Sequence, residues 1–119
     1  MKASSRLKRN LPLLKRLKNC KDPGLRTQML KNADIDFLIC IIECINNVLR
    51  GRINIKESQR NKLKKHAEVL RKLSKVRSKR LVRQKLIQTG SGLSIIPLIL
   101  GPVISAAAGL LSEIIAKDG

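Results

Sequence analysis

Asp34-Ile35-Asp36-Phe37-Leu38-Ile39-Cys40-Ile41-Ile42-Glu43-Cys44-Ile45-Asn46-Asn47-Val48-Leu49-Arg50-Gly51 is the stretch whose reading decides the fold. From Ile35 to Leu49 apolar residues occur nearly all round a 3.6-residue period, the pattern of a central buried helix. Asp34 is placed to cap its start, and Asp36 falls in the first turn, where the helix dipole favours negative charge. Arg50 stands in the last turn and Gly51 where a left-handed cap belongs. Read as a strand, the run exceeds ordinary strand length and leaves both caps without a role. It is also too short to span a bilayer.

Outward from this helix the chain changes character. Upstream, Asp22-Pro23-Gly24 is a turn signal, and a short helical stretch from Leu25 to Lys31 follows it. Residues 1–22 form a basic amphipathic segment in which Leu7, Leu11, Leu13, Leu14 and Leu17 are interleaved with Lys and Arg. Pro12 suits the first turn of a helix running to about Cys20, and such a helix is stable only against a partner. Downstream, Ile53 and Ile55 belong to a linker. The spacing then predicts one helix that starts between Asn54 and Ser58 and runs to about Lys75. Asn54 and Glu57 are placed as a capping box, with Leu63, Ala67, Leu70 and Leu73 as the apolar stripe. A second basic run, Arg77 to Gln88, carries Leu81, Val82, Leu86 and Ile87 on a helical pattern until Gly90-Ser91-Gly92 breaks it.

The last segment is of another kind. Leu93 to Ser112 holds no charged residue, and Pro97, Gly101, Pro102 and Gly109 interrupt it. Three readings stay open: an interfacial, membrane-active segment with Ile104, Ala108, Leu111 and Ile115 on one face, a membrane span, or a segment docked on the helical core. Membrane contact, where it occurs, is assigned to residues 93–116. The expected class is all-α. A helical core covers residues 23–76, basic segments flank it at 1–22 and 77–89, and a glycine hinge with an apolar tail occupies 90–119.

Charge narrows the function. The 119 residues carry 26 Lys+Arg against 8 Asp+Glu, a net charge of +18, with one aromatic residue, Phe37, and one histidine, His66. Residues 33–49 contain no Lys or Arg at all, so two basic blocks flank a near-neutral apolar segment. Readers of single strands need aromatic platforms for base stacking, and one Phe does not supply them. Convergent acid–base groups are scarce, so no enzyme, cofactor or metal site is expected. Cys20, Cys40 and Cys44 lack disulfide or metal-site spacing and read as reduced thiols, Cys40 and Cys44 as small hydrophobes on one helix face. His66 reads as a helix residue without a catalytic role. Polyanion binding remains, because each cation that neutralises a phosphate releases a condensed counterion. Lys62, Lys64, Lys65, Arg71, Lys72, Arg77, Lys79, Arg80, Arg83 and Lys85 are assigned as phosphate contacts to double-stranded DNA. No recognition motif accompanies them, so binding is expected to ignore sequence.

Leu30-Lys31-Asn32-Ala33-Asp34, Ile42-Glu43-Cys44, Asn47-Val48-Leu49-Arg50-Gly51 and the run from Gln59-Arg60 to Leu73 follow an order that resembles a family of small basic proteins. That family is encoded by polintons (Mavericks) and the related adintoviruses, large DNA elements with virus-like capsid genes. The resemblance covers about residues 10–105. Many members open the third helix with Ser/Thr-Pro, where this chain has Lys56-Glu57. The layout is also similar to the precursor of the adenovirus core protein X (mu): a basic block, a glycine break, then an apolar Pro/Gly tail. These resemblances imply a virion core protein that condenses DNA, located in the virion and the host nucleus. They also imply a viral cysteine protease as a partner, cutting between Ser91 and Gly92. Gln88-Thr89-Gly90-Ser91-Gly92 fits its preference except at Gln88, where a hydrophobic residue is commoner. Capsid proteins are the remaining implied partners, with an adaptor between shell and genome as an alternative role. The small core around an apolar helix adds a second copy of the chain as a candidate partner.

Overall fold

The computed structural model describes residues 4–88 and 96–107, and every regular element among them is helical. Six helices are α1 (Ser5–Asn19), α2 (Pro23–Asn32), α3 (Ile35–Leu49), α4 (Glu57–Lys64), α5 (Ala67–Ser74) and α6 (Lys79–Gln88). A seventh, α7, covers 96–107. The chain is all-α.

Helix α3 is the axis. Asp34 accepts the Phe37 N–H at 2.9 Å and starts the helix as the sequence requires. At its end Gly51 adopts φ +67, and two reversed hydrogen bonds, Gly51 N–H to Val48 O and Arg52 N–H to Asn47 O, satisfy the last carbonyls. Phe37, Leu38, Cys40, Ile41, Ile42, Cys44, Ile45 and Val48 are buried against α1, α5 and α6. Burial covers most of the circumference but not all. Ile39, Glu43 and Asn46 form a half-exposed strip that later becomes the floor of a cleft.

The basic N-terminal helix finds its partner within the chain. Leu7, Leu11, Leu14 and Leu17 of α1 are buried, and the helix packs on α3. Its start lies earlier than the proline suggested. Ser4 is the N-cap, accepting the Leu7 N–H at 3.1 Å, so Pro12 lies in the helix interior, where it removes one backbone hydrogen bond. Burial of the leucine stripe and a polar fastener offset that loss. The Asp36 carboxylate accepts from Arg6 Nε at 2.9 Å, Asn10 Nδ2 at 2.9 Å and Arg9 Nη2 at 3.2 Å. The hydrogen bond from Asn10, then that from Arg6, holds the Asp36 carboxyl well below its usual range, at about 2.

Three local expectations are corrected. Asp22-Pro23-Gly24 is a helix start, not a free turn: Asp22 accepts the Gly24 N–H and Pro23 opens α2. The N-cap of α4 is Lys56, whose N–H donates to the Gln59 side-chain oxygen at 3.2 Å, while Asn54 stays in the preceding loop. The helix foreseen through Lys75 is two helices. At Lys65–His66 the chain leaves the α register, with His66 at φ −112 and its N–H bonded to Leu63 O, three residues back. His66 therefore occupies the N-cap position of α5, where its backbone carbonyl accepts the Leu70 N–H and its side chain makes no capping hydrogen bond. The break leaves Leu63 and the pair Leu70 and Leu73 on two separate axes, all three buried.

Helix α7 belongs to the same core. Ile96, Ile99, Leu100, Val103, Ile104 and Ala107 are buried in one cluster with Leu14, Ile41, Leu70 and Leu86. Compositional divisions at 22, 76 and 89 are thus crossed by a single core. Of the three readings of the apolar segment, docking describes residues 96–107. Its described length is about 18 Å at 1.5 Å per residue, short of a bilayer core. No helix among the described residues is long and apolar enough to cross a membrane. Residues 108–116 and the Ser91–Gly92 bond lie outside the described residues.

Candidate nucleic-acid interface

Because α3 and its neighbours bury the apolar side chains, the charged ones are left outside. Lys62 and Lys64 occupy the last turn of α4, Lys65 the break, and Arg71 and Lys72 the last turn of α5, all exposed. Arg77 is exposed in the α5–α6 connection, Lys79 opens α6, Arg80 is exposed one residue on, and Lys85 is exposed in the last turn. Lys72 Nζ lies 3.6 Å from Glu68 Oε1, an exposed i,i+4 pair of little energetic consequence.

Arg83 departs from the pattern. It is half-buried, and its Nη1 donates to Lys31 O at 2.6 Å and Leu30 O at 3.3 Å. Those are carbonyls of the last turn of α2, which lack helical partners of their own. Arg83 thus fastens α6 to the C-terminus of α2, and its guanidinium is committed to the fold rather than to phosphate.

Of these cations, Lys64, Lys72, Arg77 and Lys85 line clefts. Lys72 and Lys85 border a groove between α5 and α6 whose walls include Val69 and Val76. Arg60 and Lys64 line a second, beside Ile55 and Asn54. Arg77 lines a third, of about 570 Å³, together with Arg6, Arg50 and Arg52 over the half-exposed strip of α3. The largest, about 780 Å³, has Lys18, Arg52 and Lys56 above a wall of Pro97, Leu98, Gly101 and Pro102 from α7. Arg52 borders the last two clefts, and Gly51 and Asn54 border both the largest and the Arg60 cleft. The loop after α3 is therefore the hub of a basic belt.

Six members of that belt, Arg6, Lys18, Arg50, Arg52, Lys56 and Arg60, were not among the assigned contacts. Arg50 and Arg52 carried a legible signal, since an Arg-Gly-Arg triplet at a helix C-terminus places two cations where the dipole favours them. Lys18 carried none: only the packing of α7 brings its stem near Gly101. The thiols stand apart from the belt. Cys40 and Cys44 are buried, and the hydrogen bond with Cys40, together with burial, pushes the Cys44 thiol well up. No family model, curated protein or solved structure matches the chain.

Proposed function

We propose that this chain is a non-enzymatic core protein that binds and condenses double-stranded DNA through sequence-independent phosphate contacts. The observation that carries the reading is the basic belt: cation-lined clefts that share lining residues around the loop after α3, on a chain of net charge +18. The molecule extends 45 Å along its longest axis. A duplex of that length carries about 26 phosphate charges at one per 1.7 Å, so one bound chain offsets well over half of them. Neighbouring duplexes then repel less, which is the physical basis of condensation. A virion and host-nucleus setting, with capsid proteins and a processing protease as partners, belongs to this proposal through the resemblance stated above.

The test is binding of the full chain to labelled random duplexes across a salt series. A linear log–log fall, equal for unrelated sequences, is expected. Replacing Lys56, Arg60, Lys64 and Lys72, which line the belt's clefts, by Gln should reduce the slope by up to about 3.6, at roughly 0.9 per lost phosphate contact. Weak binding that ignores salt, or a slope the four changes leave untouched, overturns the proposal.

A further inference from the structure

The cleft of about 570 Å³ differs from the rest of the belt in chemistry. Elsewhere the cations are mostly lysines on separate helices; here Arg6, Arg50, Arg52 and Arg77 line one space. Arg6 is already engaged with Asp36. Among the described residues no hydrogen bond or ion pair engages the side chains of Arg50, Arg52 or Arg77. Glu43 is the only carboxylate in the lining, so the cleft holds a clear excess of positive charge.

A second observation is independent of charge. Asn47 also lines this cleft, on the buried side of α3, and is 6 % exposed. Its backbone carbonyl is satisfied by the Arg52 N–H, but none of the side-chain hydrogen bonds among the described residues involves its amide. The amide atoms themselves are not sealed from solvent, so the cleft leaves them open to a hydrogen bond from outside the chain.

We infer that this cleft is a discrete pocket for a multiply charged phosphate group, with Arg50, Arg52 and Arg77 as the charged clamp and Asn47 as the neutral donor at its base. Guanidinium forks match phosphate oxygens two at a time, which lysines do not. A diester phosphate carries one charge, so this arginine clamp is matched to a more highly charged ligand than the diesters met along the rest of the belt. Two sources fit: a free polyphosphate, or the terminal phosphate of a nucleic acid strand. The inference deepens the proposed function at the belt but does not need duplex binding to hold.

The experiment uses the folded full chain, with helicity checked for each variant by circular dichroism. Titration calorimetry with inorganic tripolyphosphate compares wild type with Arg50→Gln/Arg77→Gln and with Arg71→Gln/Arg80→Gln, which removes the same charge elsewhere. The first pair should weaken binding about tenfold or more, and the second about twofold or less. Glu43→Gln should tighten it. In NMR the Asn47 side-chain amide should shift on addition of tripolyphosphate. A 5′-phosphorylated short duplex against its unphosphorylated twin separates the sources: a preference lost in Arg50→Gln/Arg77→Gln assigns the strand end, and none assigns the free anion. Equal losses in the two double variants, or an unmoved Asn47 amide, overturn the pocket. Loss of random-duplex binding with tripolyphosphate binding intact would instead sink the condensation reading and leave the pocket standing.

Discussion

Leu100→Ala isolates the claim that the apolar C-terminal segment is structural. Leu100 is fully buried in α7 and meets Ile41 and Ile45 of α3, Leu70 and Leu73 of α5 and Leu86 of α6 around a void of only about 10 Å³. Truncation removes three carbons, worth about 2.4 kcal/mol at roughly 0.8 kcal/mol each. Four helices converge there, so the enlarged void does not collapse fully, and a cavity term brings the loss to about 3–4 kcal/mol. Small domains have only about 5–15 kcal/mol in total. At about 4–8 °C per kcal/mol the midpoint should fall by roughly 12–30 °C. The chain has no Trp or Tyr, so far-UV circular dichroism under urea and heat is the assay. Leu98→Ala is the control, because Leu98 is only half-buried and faces the basic cleft beside Pro97. If Leu100→Ala costs no more than Leu98→Ala, α7 is not part of the core and a membrane role for the segment regains its footing. The outcome also governs every binding assay, since a chain cut before α7 would report on a damaged fold.

Other expectations follow from single contacts. Asp36 has a carboxyl pKa lowered to about 2 from 3.8, so its stabilising effect is complete above about pH 4 and is lost as pH falls through about 2; acid titration of Asp36→Asn should lack that part of the transition. Gly51→Ala meets no steric obstacle, yet it forces φ +67 on an L-residue, and denaturation should show a loss of about 1–2 kcal/mol. Arg83→Gln should lower stability by about 1–2 kcal/mol through the freed α2 carbonyls while leaving the salt slope of DNA binding as it was; a slope reduced as much as by Arg80→Gln would return Arg83 to the interface. Raising salt should stabilise the free protein and weaken its DNA complex, because one medium screens both self-repulsion and phosphate attraction. A fall in the thermal midpoint of the free protein with salt would contradict the first half.

Where local chemistry decides, the sequence was legible. Asp34, Asp36 and Gly51 announce the ends of α3 through their own side chains or lack of one, and the apolar stretch between them fixes the centre of the fold. Position in space was less legible. Pro12 reads as a first-turn residue because interior proline is costly, and only the docking of four leucines on α3 reveals why the helix continues on both sides. The break at Lys65–His66 has no Gly or Pro to mark it; two packing directions for Leu63 and Leu70 impose it. Arg83 looked like every other cation in its run, since nothing within ten residues shows that the α2 C-terminus lies beside it. The clefts fared likewise. Arg6, Arg52 and Arg77 are far apart in sequence, and the fold alone makes them neighbours.

The distribution of the few acids explains how so basic a chain folds while keeping its charge outward. Asp22 and Asp34 cap helices, and Asp36 binds Arg6, Arg9 and Asn10 across the α1–α3 junction. Each of these carboxylates thus answers backbone N–H groups or cations that the fold itself brings close. None of the three borders a basic cleft. Apolar burial supplies cohesion through α3 and α7, neither of which carries a Lys or Arg in its described span. Cohesion and positive charge are therefore divided by face as well as by helix: α3 and α7 bring no cation to the core, α1, α5 and α6 bury one apolar face each and turn most of their cations outward, and three acids fasten the helix junctions. Mutual repulsion among Arg50, Arg52 and Arg77 within one cleft is unfavourable, and replacing one of them by Gln should therefore raise the stability of the free protein while an added polyanion should raise that of the wild type.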